Sequence, residues 1–192
     1  MRFNFLLLFT FSFLSFSSES IKPIFHRPDV NIKSSGDGGA YPVPPVTAQR
    51  LFYLQRTSNT NTIVYDLNLD NNRKPNNAEP IKAYWIRYAE NGEKQDLSYI
   101  QRKFAYGLTS KALDNGNYDI RFVSYKKFPL TLMRSAEGKY HIFALIQQKQ
   151  VMINRIFVKI EGGSFWFPNV VYVEIKGTDP ITGREIVERF KP

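Results

Sequence analysis

The stretch RLFYLQRTSNTNTIVYDLNL, Arg50 to Leu69, concentrates guanidinium, amide and carboxylate groups around one chain reversal. Gln55 and Arg56 come immediately before six small polar residues, Thr57 to Thr62, and Asp66 follows shortly after. A tight hairpin uses about two loop residues, usually Asn-Gly or Asp-Gly, so six without a Gly exceed what reversal needs. Two readings compete. Asn tolerates left-handed backbone, and Asn, Ser and Thr side chains bond their own neighbouring backbone, so the run can close a wide turn by itself. Alternatively, an anion-capable fork, amides and a carboxylate at one strand end suit a polar ligand. On that reading Arg56, Asn59 and Asn61 line the rim of the principal pocket, with Asp66 beside them.

Two further residues join the candidates for ligand binding. In VMINRIFVKIE, alternation puts Arg155 and Lys159 on one face with Val151, Ile153 and Phe157. An open barrel or concave sheet would gather such cations into an anion site, whereas a solvated outer face with snorkelling stems is the plainer reading. In GGSFWFP, Gly162 to Pro168, three consecutive aromatics cannot all point inward from a strand whose side chains alternate. Either Trp166 or the Phe165 and Phe167 pair faces outward or under a loop. An outward tip would stack on a sugar or touch a membrane, and Trp85 raises the same question more weakly.

Other chemistries find little support. Asp66-Leu67-Asn68-Leu69-Asp70 mimics the opening of a calcium loop, but Asn71 and Asn77 stand where Gly and a bidentate Glu belong. No metal or cofactor is expected. The histidines are His26, in a linker, and His141, on an apolar strand with no carboxylate or nucleophile close in sequence. Asp66, Asp119, Glu161 and Glu174 are the carboxylates from which a general acid and base pair would be drawn. With no Cys, thiolate zinc sites, Cys nucleophiles and thiol redox chemistry are excluded.

The elements that must position these groups are mostly strands. Ile63, Tyr65, Leu67 and Leu69 share one face of a strand, and Tyr84, Ile86 and Tyr88 alternate with Ala83, Trp85 and Arg87. Tyr118–Tyr125, Lys139–Gln147, Val151–Glu161, Val170–Gly177 and Arg184–Phe190 behave alike, separated by turn-forming runs such as Asp114-Asn115-Gly116-Asn117. The fold class expected is mainly β, an antiparallel sandwich or barrel-like domain with one short packed helix. That helix spans about Ser98 to Tyr106, with a Ser98/Gln101 capping box, a Leu97, Ile100, Phe104 and Leu108 stripe, and Gly107 as a left-handed C-cap.

The chain's 192 residues fit one domain, preceded by two other segments. Residues 1–20, with FLLLFTFSFLSF and a small-residue exit, read as a secretory signal peptide. Residues 21–45 are rich in Pro, Gly and Ser and read as a disordered linker. The domain is then 46–192, exported to the periplasm or beyond, with no stable membrane insertion after cleavage. A formal charge of +9 favours acidic partners, anionic or glycan-like envelope ligands among them. Nucleic acid is not expected, because no basic cluster or stacking motif accompanies the charge.

The ordered fragments RLFYLQR, NTNTIVYDLN, EPIKAYWIRY, LSYIQRKFAYGL and VYVEIKGTDPITGREIVE resemble the domain-of-unknown-function 4833 family. The resemblance implies an exported all-β domain and transfers no catalytic residue. Three functions remain as expectations: a non-enzymatic domain binding an acidic or glycan-like ligand or an envelope partner, a hydrolase of extracellular polysaccharide using an Asp/Glu pair, and a structural envelope protein.

Overall fold

The computed structural model describes residues 41–192 apart from 136 and 165, so the expected signal peptide and all but the end of the expected linker lie outside the described residues. Two antiparallel meanders supply most of the strands. The first comprises β1 (Arg50–Arg56), β2 (Asn59–Leu67), β3 (Ile81–Arg87) and β4 (Glu93–Asp96). The helix α1 (Tyr99–Phe104) leads to the second, β5 (Leu108–Ala112), β6 (Tyr118–Phe122), β7 (Pro129–Arg134) and β8 (Tyr140–Ile146). The long strands β9 (Lys149–Gly163) and β10 (Pro168–Thr178) form a hairpin, and β11 (Glu185–Phe190) closes the chain against β10.

β9 joins the meanders. Met152 pairs with both Phe143 of β8 and Thr178 of β10, and Arg155–Val158 pair with both β1 and β10. One edge of β9 therefore carries β8 and then β1, and the other carries β10. The β1/β9 contact is parallel, which makes the eleven-stranded sheet mixed where an antiparallel one was expected. The sheet curls until its two halves meet. Phe52 stacks on Tyr65 with centroids 4.3 Å apart, and Phe122 of β6 meets them edge-on at 6.2 and 5.8 Å. Fully buried Ile63, Ile120, Leu130, Leu132, Ile142, Val151 and Ile153 fill the interior between them. The result is the barrel-like β architecture that the alternation predicts.

A bulge changes which residues share a face. Lys176 pairs with Arg155 but Gly177 with Ile153, leaving Asn154 as an extra residue. Such an insertion inverts the side-chain alternation beyond it. Val151, Ile153 and Ile156 thus belong to the core, while Arg155, Phe157 and Lys159 lie on the opposite, outer face. The expectation that all five residues share one face is corrected accordingly.

The helix keeps its capping box, in which Ser98 accepts from the Gln101 amide and Gln101 accepts from the Ser98 amide. Of its expected stripe, Leu97 is buried, Leu108 falls in β5, and Ile100 and Phe104 are exposed. Six residues make under two turns, and the seat over the core is taken by Tyr106, edge-on to Trp85 at 5.3 Å. Polar bonds hold α1 instead: the Trp85 indole donates to Gln101, Tyr65 OH donates to the Tyr106 carbonyl, and Arg102 pairs with Glu79. Gly107 is not a left-handed cap. It is needed because a Cβ there would lie 1.8 Å from the Arg102 carbonyl oxygen.

Candidate functional site

The outer face of the first meander carries its own small apolar cluster, Val64, Tyr84 and Ile86. Beside it opens a cleft of about 460 Å³ lined by Gln49, Asp66, Leu67, Asn68, Lys82, Tyr84, Lys94, Gln95 and Asp96. A second hollow, at Ala78–Ile81, Leu108, Ser110 and Ile120, holds only about 30 Å³. The strand register builds the cleft. Asp66 stands opposite Lys82 and Tyr84 opposite Asp96, and directly paired residues point to the same face.

Asp66 is fixed at the cleft wall. Arg50 donates from Nε to its Oδ1 at 2.6 Å, and Tyr84 OH donates to its Oδ2 at 2.7 Å. The Arg50 side chain is only 9% exposed, and its Nη1 is buried without a hydrogen-bond partner. Burial, and after it the hydrogen bond to Asp66, raises the Tyr84 pKa, which keeps the phenol protonated and donating. Lys94 lies over the Tyr84 ring at 5.3 Å, and Lys82 stands 3.7 Å from Asp96. Gln95 accepts from Arg87 Nη1. Ammonium, amide, phenol and carboxylate groups thus converge on one opening.

Of the six residues expected to bind ligand, only Asp66 lines this cleft. The polar run after Arg56 is a two-residue turn, Thr57 and Ser58, because Asn59 to Thr62 already belong to β2 and Arg56 pairs with Asn59. Asn59 Oδ1 accepts from the Asn61 amide, and the buried Asn61 side chain accepts from the Ala89 amide. Arg56 lies over the Tyr106 ring at 5.7 Å. Thr57 continues the β1/β9 contact, its hydroxyl donating to the Ile160 carbonyl and accepting from the Ile160 amide. The expectation that Arg56, Asn59 and Asn61 form the pocket rim is corrected: none of the three lines this cleft, and the Asn59 and Asn61 side chains bond nearby backbone instead.

Arg155 is also engaged. Its Nε donates to Gln55 and its Nη1 to Glu174, whose other oxygen accepts from Arg189 at 2.7 Å. Gln55, 1% exposed, in turn donates to the Pro42 carbonyl and Thr62 hydroxyl. With Tyr41 packed edge-on to Phe157 at 5.3 Å, the segment Tyr41–Pro42, expected in the linker, covers this part of the outer face. Trp166 stands apart, exposed and edge-on to Phe104 at 5.7 Å. The calcium-like run is structural: Asp70 accepts from the Asn72 and Lys74 amides. Among the described residues no three His, Asp or Glu side chains gather as metal ligands.

Lys94, Gln95 and Asp96 were missed by the sequence reading because β4, EKQD, has no apolar residue by which a strand is recognised, and Lys82 of β3 was missed because only its pairing with Asp66 brings it to the site. The family described as Domain of unknown function (DUF4833) matches residues 52–189, a span that includes the whole cleft lining except Gln49. Neither curated proteins nor solved structures yield a match.

Proposed function

We propose, from the premise that the chain belongs to the domain-of-unknown-function 4833 family, that it is an exported, non-enzymatic domain binding an acidic, glycan-like ligand in the cleft beside Asp66. The observation that carries this reading is the lining itself. Lys82 and Lys94 offer positive charge to an acidic group, while Gln49, Asn68 and Tyr84 offer the mixed donors and acceptors that hydroxyl groups need. The leader-like residues 1–20 and the charge of +9 support an envelope or extracellular setting with anionic partners.

The hydrolase alternative rests on Asp66 and Asp96 sharing this cleft. Both have cations beside them, Arg50 for Asp66 and Lys82 for Asp96. Arg50 and Tyr84 also engage both Asp66 oxygens, which commits that carboxylate to the cleft wall.

Titration calorimetry with uronic-acid oligosaccharides and their neutral counterparts tests the proposal. The acidic series should bind more tightly, and Lys82→Ala/Lys94→Ala should weaken it at least tenfold. Absence of heat with both series, or equal binding by the variant, overturns the reading. Release of reducing ends that is lost in Asp96→Asn replaces it with the hydrolase.

A further inference from the structure

We infer that the surface formed by α1 and the β9/β10 tip docks on an anionic lipid bilayer. Tyr99, Ile100, Phe104, Trp166 and Phe167 are 71%, 46%, 49%, 56% and 83% exposed, although all are large and apolar or aromatic. They form connected groups, not scattered residues. Ile100 and Phe104 are four apart on the helix, as are Tyr99 and Lys103, and Phe104 meets the Trp166 ring. Contiguous exposed apolar surface of this kind marks an interaction site.

The tip is a built feature. Ser164 donates its amide to the Phe167 carbonyl, and Phe167 donates its amide to the Ser164 hydroxyl. Gly163, at φ +82, lets the loop close, since a Cβ there would stand 2.4 Å from the Phe167 oxygen. This geometry presents Trp166 and Phe167 at the end of the longest hairpin in the described residues.

Charge selects the occupant. Lys103 lies 5.4 Å from the Tyr99 centroid and 5.3 Å from the Phe104 centroid, and Arg56 lies over Tyr106. Neither cation has a carboxylate within ion-pair distance among the described residues; Arg102, the other helix cation, pairs with Glu79. Aromatic rings interleaved with cations that no carboxylate compensates match the interface of an anionic bilayer, where Trp and Tyr sit at headgroup depth and basic residues near the surface add attraction to the anionic lipid. A second copy of the chain fits poorly, because a two-fold contact through this patch would oppose one Lys103 to another. Docking of this kind is peripheral; no helix among the described residues is long and apolar enough to cross a membrane.

The chain carries its own probe. It has two tryptophans, of which Trp85 is buried and Trp166 exposed, so an emission change on adding vesicles reports the tip. With the full chain and vesicles of phosphatidylglycerol in phosphatidylcholine, Trp166 emission should shift to the blue and be quenched by bromine-labelled acyl chains. The response should weaken at least fivefold in pure phosphatidylcholine or at high salt. Phe167→Ser/Lys103→Glu should abolish it while leaving the thermal unfolding midpoint near that of the parent. Vesicle binding without Trp166 quenching, which places attachment elsewhere in the chain, overturns the inference. So does equal response to neutral vesicles, an undiminished response in the variant, or concentration-dependent dimerisation in vesicle-free buffer that the same variant removes.

Discussion

Replacing Arg50 by Met tests how the cleft wall is held. The Arg50 and Asp66 side chains are 9% and 17% exposed and meet at 2.6 Å. With charge centres about 4 Å apart and an effective dielectric constant of about 20, the gross attraction is about 4 kcal/mol. Desolvation of both ions offsets much of it, so the pair adds little over an apolar equivalent; removing one partner is the costly event. Arg50→Met leaves the Asp66 carboxylate with only the Tyr84 hydroxyl and should lose about 3 kcal/mol in urea-induced unfolding. Asp66→Leu leaves the Arg50 guanidinium buried and should lose a similar amount. The double variant should lose about 1 to 2 kcal/mol, well below the sum, since no charge is then stranded. Losses that add in the double variant, or single losses under about 0.5 kcal/mol, would refute the reasoning and make the pair an ordinary surface contact.

Leu97→Ala should lose about 2 to 5 kcal/mol as a large-to-small core change; Phe104→Ala should stay within about 1 kcal/mol, because Phe104 is half exposed. Denaturant melts of the two variants should therefore differ clearly. Thr57→Val should lose about 1 to 3 kcal/mol by stranding the Ile160 amide, whereas exposed Ser58→Ala should change little. Burial, and after it the Lys139 ammonium, lowers the His141 pKa. The unfolded chain therefore takes up that proton first as pH falls below about 6.5, the ordinary His value. Stability contributed by neutral His141 should be present above that pH and decline below it. Thermal unfolding of His141→Gln should show a shallower decline across the same interval.

Strand alternation made the fold class legible, and the capping residues Ser98 and Gln101 located the helix start. The family resemblance was equally readable from the ordered fragments, and the match over residues 52–189 bears it out. Three features escaped for physical reasons. The Asn154 bulge follows from its partner β10, so no local pattern announces that Arg155 leaves the core face. β4 is an edge strand with polar side chains, whose pairing depends on β3 rather than on apolar alternation. The β8/β9 reversal uses Gln147 and Gln148 at φ 51 and 62, angles usually announced by Gly or Asn. The candidate site was legible only at Asp66, because three of its other members, Lys82, Lys94 and Asp96, converge through cross-strand register. The polar run Thr57 to Thr62 misled because polarity was equated with a loop, whereas Asn61 and Thr62 are buried strand residues with specific partners.

The position of β9 also orders events during synthesis. Gln55 and Arg155 are 100 residues apart, and Thr57 and Ile160 are 103 apart. Each meander can pair its own strands as it emerges, since those contacts are local, but one edge of β1 and one edge of β8 stay open until β9 arrives. Long-range closure of this kind is slow and leaves unpaired strand edges exposed meanwhile. A nascent chain therefore remains unclosed through most of its synthesis. It then completes the sheet in a late step, once residues 149–192 are free.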